Sequence, residues 1–440
     1  MNETYCPIPW IFQAVRNNGD IRICCQANVT KNQGVVRHPD GTSFNAGRDN
    51  LDAARNADLM KTVRSNMLKG IWSEECARCQ QEEQAKLTSR RNYENDSWGN
   101  RYNVEWARSV TAEDGSINVD NVPAVYYDLR FGNLCNLACR MCGPTDSHTW
   151  YKDYVELTGR TDYKDTHGQV NLVQNENGRW ITTNADYDWH GSETFWNQIE
   201  SNLNKIDYVY MAGGEPLMIE RHYDFLDKCI QSGNAANIIL EYNTNMTGVQ
   251  PRVLELWKKF KSVRVGASID GFGKVLEYQR YPAKWHHVEK NLRKIDELPK
   301  NVYAWLAYTV TVLNVYHLPE FMLWKLEQGY KKINSSKKKP IVTHHVAHHP
   351  QNLNIRMLPA HIKQDIKNYY DLKKLDFKKY GDDIYNNAVS VLDSVSNYMM
   401  NGDLSKHLDS FVRDTRRLDE IRGQSILEIV PQYQELFNGK

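Results

Sequence analysis

Residues 125–144 read VYYDLRFGNLCNLACRMCGP. Val125 to Phe131 is a short apolar and aromatic run stopped by Gly132, the pattern of a buried strand. Directly after it stand Cys135, Cys139 and Cys142 at C-x3-C-x2-C, so three thiols share one tight loop at the C-terminal end of that strand. Three thiolates can hold three irons of a cubane, which leaves the fourth iron open to an amino-acid chelate. Zinc is the rival ion, but a zinc site normally wants a fourth Cys or His nearby, and C-x2-C is its commoner spacing.

On the C-terminal side of this loop, short apolar runs alternate with longer amphipathic segments. The strand candidates are Val125–Phe131, Ile206–Met211, Asn237–Tyr242, Val263–Ile269, Val302–Val312 and Ile341–Val346, with helical stretches between them such as Tyr223–Ser232, Pro251–Phe260, Trp285–Leu298 and Leu318–Gln328. Strand and helix in alternation imply parallel strands joined by right-handed crossovers, which close toward a barrel or a doubly wound sheet; six units would give an open barrel. The fold expected is α/β, an open partial (β/α)6 barrel with a small N-terminal module that needs a metal to fold and a helical C-terminal region. The boundaries expected are 1–100 for the N-terminal module, 120–350 for the barrel and 351–440 for the helices. A helix is expected from Asn50 to Lys69, and a stripe of Ile384, Ala388, Val391, Val395 and Met399 marks a later one, with Leu404, Leu408 and Phe411 continuing after Gly402. Residues 160–192 are polar and rich in Asn, Asp and Gly without a convincing period, and read as an insertion that could cover a site.

Composition excludes several classes. With 41% hydrophobic and 25% charged residues over 440 positions, the chain is globular and long enough for two or three folding units. A net charge of +1 gives no footprint for nucleic acid, and the basic run Lys337–Lys339 reads as a solvated loop. No run of 18 apolar residues and no basic-then-apolar leader is seen, so a cytoplasmic protein without membrane contact is expected. Eight of the nine cysteines precede residue 143 in short-spaced clusters, which suggests metal and not a disulfide framework.

The three-cysteine loop resembles the signature of the radical S-adenosylmethionine superfamily, and later strand ends add to the resemblance. The second strand ends in Gly213-Gly214-Glu215-Pro216, similar to the family's GGEP motif; the third in Asn243-Thr244-Asn245; the fourth in Ser268-Ile269-Asp270-Gly271. In open α/β structures ligands lie beyond the carboxyl ends of the strands, where these residues stand. The resemblance implies a [4Fe–4S] cluster on Cys135, Cys139 and Cys142. It also implies S-adenosylmethionine on that cluster, its ammonium received by the Gly213–Pro216 segment. Met141 would lie beside adenine, where many members carry an aromatic residue, and Asn243, Asn245, Ser268 and Asp270 would supply polar contacts. The implied chemistry is reductive cleavage of the sulfonium to a 5′-deoxyadenosyl radical that takes hydrogen from substrate, the electron coming from a flavodoxin- or ferredoxin-type donor.

Cys6, Cys24, Cys76 and Cys79 form a second constellation, ordered C-x17-C, a gap, then C-x2-C. It resembles the twitch domain, the short form of the SPASM domain, which implies an auxiliary [4Fe–4S] cluster with four cysteine ligands; here it precedes the core, where family members usually place it afterwards. Zinc on four cysteines is the alternative there, and Cys25 is the alternative to Cys24. Cys229 reads as a buried inert thiol, and His344, His345, His348 and His349 as residues sent to different faces by strand alternation. The resemblance implies a peptide or small-molecule substrate, with hydrogen abstraction from a peptide first and oxidation of a small alcohol or sugar second. A non-catalytic zinc-binding protein is the third reading.

Overall fold

The computed structural model describes residues 3–27, 30–334 and 341–438, and the basic run at Lys337–Lys339 lies outside them. The strands in chain order are β1 (Phe12–Val15), β2 (Ile21–Arg22), β3 (Tyr126–Phe131), β4 (Asp162–Lys164), β5 (Gln169–Gln174) and β6 (Trp180–Thr182). They continue with β7 (Tyr208–Gly213), β8 (Ile239–Thr244), β9 (Ser262–Ser268), β10 (Val302–Val310) and β11 (Thr343–Val346). The main sheet runs β11-β10-β9-β8-β7-β3-β1-β2. All its pairings are parallel except β1 with β2, as helix crossovers require. Its two ends, β11 and β2, do not pair, so the sheet is an open partial barrel flanked by helices.

The six strands expected from sequence are β3 and β7 to β11, displaced by at most a few residues. Their alternation separates two faces. Along β10, Val302, Ala304, Leu306, Tyr308 and Val310 are buried, while Tyr303, Trp305, Ala307 and Thr309 between them remain partly accessible. The buried face meets helices such as Glu220–Gln231, which contributes Tyr223, Phe225, Leu226 and Cys229. Each fully buried aliphatic side chain contributes about 1.5–3 kcal/mol relative to exposure, and a one-residue slip would turn that whole face outward. Cys229 is fully buried, in accord with the sequence reading.

Three features differ from the sequence expectation. The N-terminal segment joins the barrel sheet, because β1 pairs in parallel with β3 at Ala14↔Asp128 and Val15↔Leu129. The expected helix from Asn50 to Lys69 is two helices, Leu51–Arg55 and Asp58–Leu68. The break frees backbone and side-chain acceptors for the buried Arg64, whose guanidinium donates to Arg55 O at 2.8 Å, Asn56 Oδ1 at 3.0 Å, Pro9 O at 3.0 Å and Gly115 O at 2.8 Å. Satisfying that charge outweighs two further helical hydrogen bonds. Finally, residues 160–192 contain the antiparallel sheet β4-β5-β6, whose buried Val170 and Leu172 give a short period-two signal.

The C-terminal region is helical, with long helices at Ala360–Lys373, Asp382–Met400 and Leu408–Arg422. The stripe along the second is buried at Ala388, Val391, Val395 and Met399, with Ile384 partly so. Among the described residues no helix is long and apolar enough to cross a membrane.

Candidate active site

The loop after β3 is held from three directions. Asn133 Nδ2 donates to Pro144 O at 2.8 Å and Tyr151 Oη at 2.7 Å, and Ser147 Oγ donates to Leu137 O at 2.6 Å, closing the loop on itself. Trp150 Nε1 donates to the Cys139 carbonyl at 2.8 Å. The segment after β9 supplies the third support, Ala138 N donating to Tyr281 O and Arg140 N to Gln279 O, each at 2.7 Å. So fixed, Cys135 and Cys139 are buried and Cys142 half-buried. Burial pushes the Cys135 thiol up to about 12; the hydrogen bond between Cys139 and Cys142 raises Cys142 and lowers Cys139. A metal binds the thiolate form and supplies the compensating charge, so this donor set fits a thiophilic metal group.

The ends of the next strands close on the same loop. Gly214 N donates to Gly132 O at 3.1 Å and Glu215 N to Leu134 O at 2.8 Å. The contact needs glycine: a Cβ on Gly214 would stand 2.3 Å from Leu134 O, and one on Gly213, at φ +116°, 2.5 Å from Phe131 N. Glu215 is 1% exposed; its carboxylate accepts from Thr244 Oγ1 and Asn245 N, both at 2.7 Å, and from Leu217 N at 3.2 Å, while burial raises its pKa. Pro216 beside it is buried and starts a short 3₁₀ turn. Asn245 Nδ2 lies 3.8 Å from Cys135 Sγ and 3.0 Å from Asn136 Oδ1. Asp270 is fully buried, accepts from Thr309 N at 2.7 Å and pairs at 2.7 Å with Arg280, whose Nη1 is 3.8 Å from Cys139 Sγ. Met141 packs, partly buried, against the barrel core.

Residues 129–320 match the family model of the Radical SAM superfamily. This stretch is a Radical SAM domain. No curated protein matches the chain. Among solved structures, native anSMEcpe with bound AdoMet is similar at 15% identity over 57% of this chain and 60% of that one, with a TM-score of 0.36. Streptococcus suis SuiB bound to S-adenosylmethionine is similar at 12% identity over 76% of this chain and 64% of that one, TM-score 0.34. SuiB bound to the precursor peptide SuiA is similar at 13% identity over 59% and 53%, TM-score 0.28. The chain therefore spans less than two thirds of the length of each of these.

Outside the Radical SAM domain, Cys6, Cys24, Cys76 and Cys79 line one small cavity with apolar neighbours that include Ile23, Val63, Met67 and Trp72. Burial raises the Cys6 thiol and pushes Cys76 up to about 12, with Cys79 adding to both; the hydrogen bond from Cys25 and then burial raise Cys24. These four thiols also fit a metal group. Cys25 turns the other way, into the barrel interior, and its thiol is lowered to about 7 by that hydrogen bond, with Arg90 and Arg130 adding to the effect. Among the described residues no three cysteine sulfurs lie within 4.8 Å of one another. On a single tetrahedral zinc with Zn–S of about 2.3 Å they would be roughly 3.8 Å apart, so both sets are spaced more widely than one such ion.

The barrel interior is a cavity of about 820 Å³. Its walls alternate charge and aromatic rings: Asp128 pairs with Arg130 at 3.3 Å, Arg264 lies 3.7 Å from Glu241, and Tyr208 donates to Glu241. Asn243 donates to Tyr210 Oη at 2.8 Å, and Ser268 lies in the same lining. Period-two alternation carries these columns on to Asn245 and Asp270 at the strand ends. The opposite end is closed by the helix Arg90–Trp98, whose Trp98 ring stacks 5.9 Å from Tyr126 and whose Arg90 donates to Tyr126 Oη at 2.9 Å. Of the four late histidines only His345 lines the cavity, whereas His344 bonds Ser394 and His348 bonds Tyr398. The β4-β5 turn covers the cluster loop, with His167 Nδ1 at 2.8 Å from Asp146 and Tyr163 packed against Gly143. Asp146, Asp165 and His167 stand close enough together for an ion, but their atoms are already taken up by each other, Thr145 and backbone N–H groups.

The sequence reading did not reach Asp128, Arg130, Glu241, Arg264, Arg280 or Arg422. The first four carried a usable signal, charge on one parity of an otherwise apolar strand. Gly214→Ala is expected to cost roughly 1–3 kcal/mol of stability through the clash with Leu134 O. Urea unfolding beside wild type checks this; an unchanged midpoint and slope would mean that the strand end and the loop are not packed so closely.

Proposed function

We propose that the chain is a radical S-adenosylmethionine enzyme that removes hydrogen from a peptide or protein segment bound in the barrel interior. The observation that carries this reading is that three thiols, Cys135 and Cys139 buried and Cys142 half-buried, share the loop at the C-terminal end of β3 in a Radical SAM domain, while β3 and β7 to β11 line a cavity of about 820 Å³. When bound there, a [4Fe–4S] cluster and S-adenosylmethionine supply reductive cleavage of the sulfonium and, through it, hydrogen-atom abstraction. The chain's own residues do the remaining work. The three thiolates hold the metal, and Asn245 orients the Cys135 corner. The Gly213–Pro216 segment and Glu215 shape the place for an amino-acid ammonium. Asn243 and Ser268 face the interior, and Asp270 acts through Arg280. Cys6, Cys24, Cys76 and Cys79 would hold the auxiliary cluster, with the floor helix Arg90–Trp98 between that module and the substrate space.

A peptide substrate suits the interior because its walls offer both donors and acceptors for amide groups, with aromatic rings for the side chain. The test is production of 5′-deoxyadenosine by the reduced protein in the presence of a degenerate peptide mixture or a mixture of simple alcohols and aminosugars. Stimulation by peptides alone is expected; stimulation by the alcohols or sugars alone would replace the substrate class and leave the chemistry standing. Glu241→Gln is expected to reduce peptide stimulation about tenfold, the equivalent of about 1.4 kcal/mol, while leaving unstimulated cleavage of S-adenosylmethionine within twofold. Equal loss of both activities would place Glu241 in the fold and not in substrate binding.

A further inference from the structure

The helix Leu408–Arg422 lies outside the Radical SAM match, yet it is fastened to the cluster loop by buried ion pairs. Asp419 accepts from Arg140 at 2.5 Å, from Tyr278 Oη at 2.9 Å and from Ile426 N at 2.7 Å. One turn on, Arg422 reaches beneath the loop with a side chain 1% exposed, its Nε donating to Asp153 at 2.8 Å. Its guanidinium carbon lies 4.7 Å from the centre of the Trp150 ring and 4.8 Å from that of Tyr281. These are the two residues that hold the loop around Cys139, Trp150 through the Cys139 carbonyl and Tyr281 through Ala138 N. Nη1 and Nη2 of Arg422 make no hydrogen bond among the described residues.

Arg280 brings a second guanidinium to this loop, with Nη1 3.8 Å from Cys139 Sγ. As fold stabilisers these groups make little sense. A buried ion pair seldom recovers its desolvation cost, and unpaired guanidinium N–H groups add to that cost. As cations they are well placed. Reducing an iron–sulfur cluster adds negative charge, and positive charge or N–H groups near its cysteine sulfurs favour the reduced form.

We propose that Arg280 and Arg422 are positioning residues that keep positive charge at the Cys139 corner and raise the reduction potential of the cluster bound there. The C-terminal helix thereby becomes part of the redox machinery. The inference rests on the function proposed above and deepens it.

The test is a potentiometric titration of the full-length, cluster-loaded protein. It follows by electron paramagnetic resonance the signal that changes shape when S-adenosylmethionine is added. Arg422→Gln is expected to lower the reduction equilibrium constant about tenfold, a fall of about 59 mV for one electron, while Arg422→Lys stays within threefold of wild type. If Arg422→Gln does not fold, the paired variant Arg422→Gln/Asp153→Asn removes the orphaned carboxylate and is expected to shift in the same direction. A Gln variant that titrates with wild type, or Gln and Lys variants that shift together, would overturn the redox role. Absence of any signal responsive to S-adenosylmethionine in the wild-type protein would instead overturn the proposed function, and this inference with it.

Discussion

Replacing Cys139 with alanine is expected to abolish formation of 5′-deoxyadenosine from S-adenosylmethionine and to remove about half the iron, one cubane of two. Cys139 is the most constrained of the three loop thiols. It is buried, its carbonyl is held by Trp150, its sulfur is hydrogen-bonded to Cys142, and Arg280 stands 3.8 Å away. Alanine leaves that guanidinium and Cys142 without the sulfur they face. Cys135→Ala and Cys142→Ala are expected to behave alike. The four N-terminal thiols lie in a separate cavity, and the remaining iron should keep its spectrum. The check is iron and sulfide content together with chromatography of the reaction products. Nucleoside from a loop variant would show that these cysteines do not hold the catalytic metal.

Replacing Cys76 with alanine is expected to remove the other half of the iron and to loosen the N-terminal segment, because metal–ligand bonds supply folding free energy beyond that segment's packing in the core. Cys24 and Cys25 separate the two sides of this region. Cys24 shares the cavity of Cys6, Cys76 and Cys79, and Cys25 faces the barrel interior. Cys24→Ser should therefore lose iron as Cys76→Ala does, whereas Cys25→Ser should retain it. The measurement is iron per chain, with a thermal melt followed by circular dichroism. Full iron in Cys76→Ala, or equal loss in both serine variants, would dismiss this ligand set. Because β1 pairs with β3, loosening is expected to spread into the barrel edge and lower the melting temperature of the whole chain.

Most of the barrel was legible because its signals are local. Strand parity and the cysteine spacing can be read within a window of twenty residues, and the six core strands follow from alternation alone. The helix break at Asn56 and Ala57 was not legible, since its cause is Arg64 reaching back to Arg55, Pro9 and Gly115. Nor was the joining of β1 to the barrel edge, a pairing across more than a hundred residues between short runs that look alike. At the site, Cys135, Asn245 and Glu215 converge at the strand ends, whereas Asp270 faces Arg280 and Thr309, and its carbonyl accepts from Gln279, the residue that takes Arg140 N of the loop. Arg422 lies 283 residues beyond Cys139, counted from their sequence positions, and no spacing rule links them. The β4-β5-β6 insertion was read as irregular because its strands are only three to six residues long and polar on their outer face.

Whether the loop after β3 builds a working radical centre is measured most directly by product analysis of the anaerobically loaded, chemically reduced wild-type protein given S-adenosylmethionine. The products expected are 5′-deoxyadenosine and methionine, from protein carrying about eight irons per chain. Intact S-adenosylmethionine after reduction, or a protein that takes up zinc and no iron, would contradict a radical centre there.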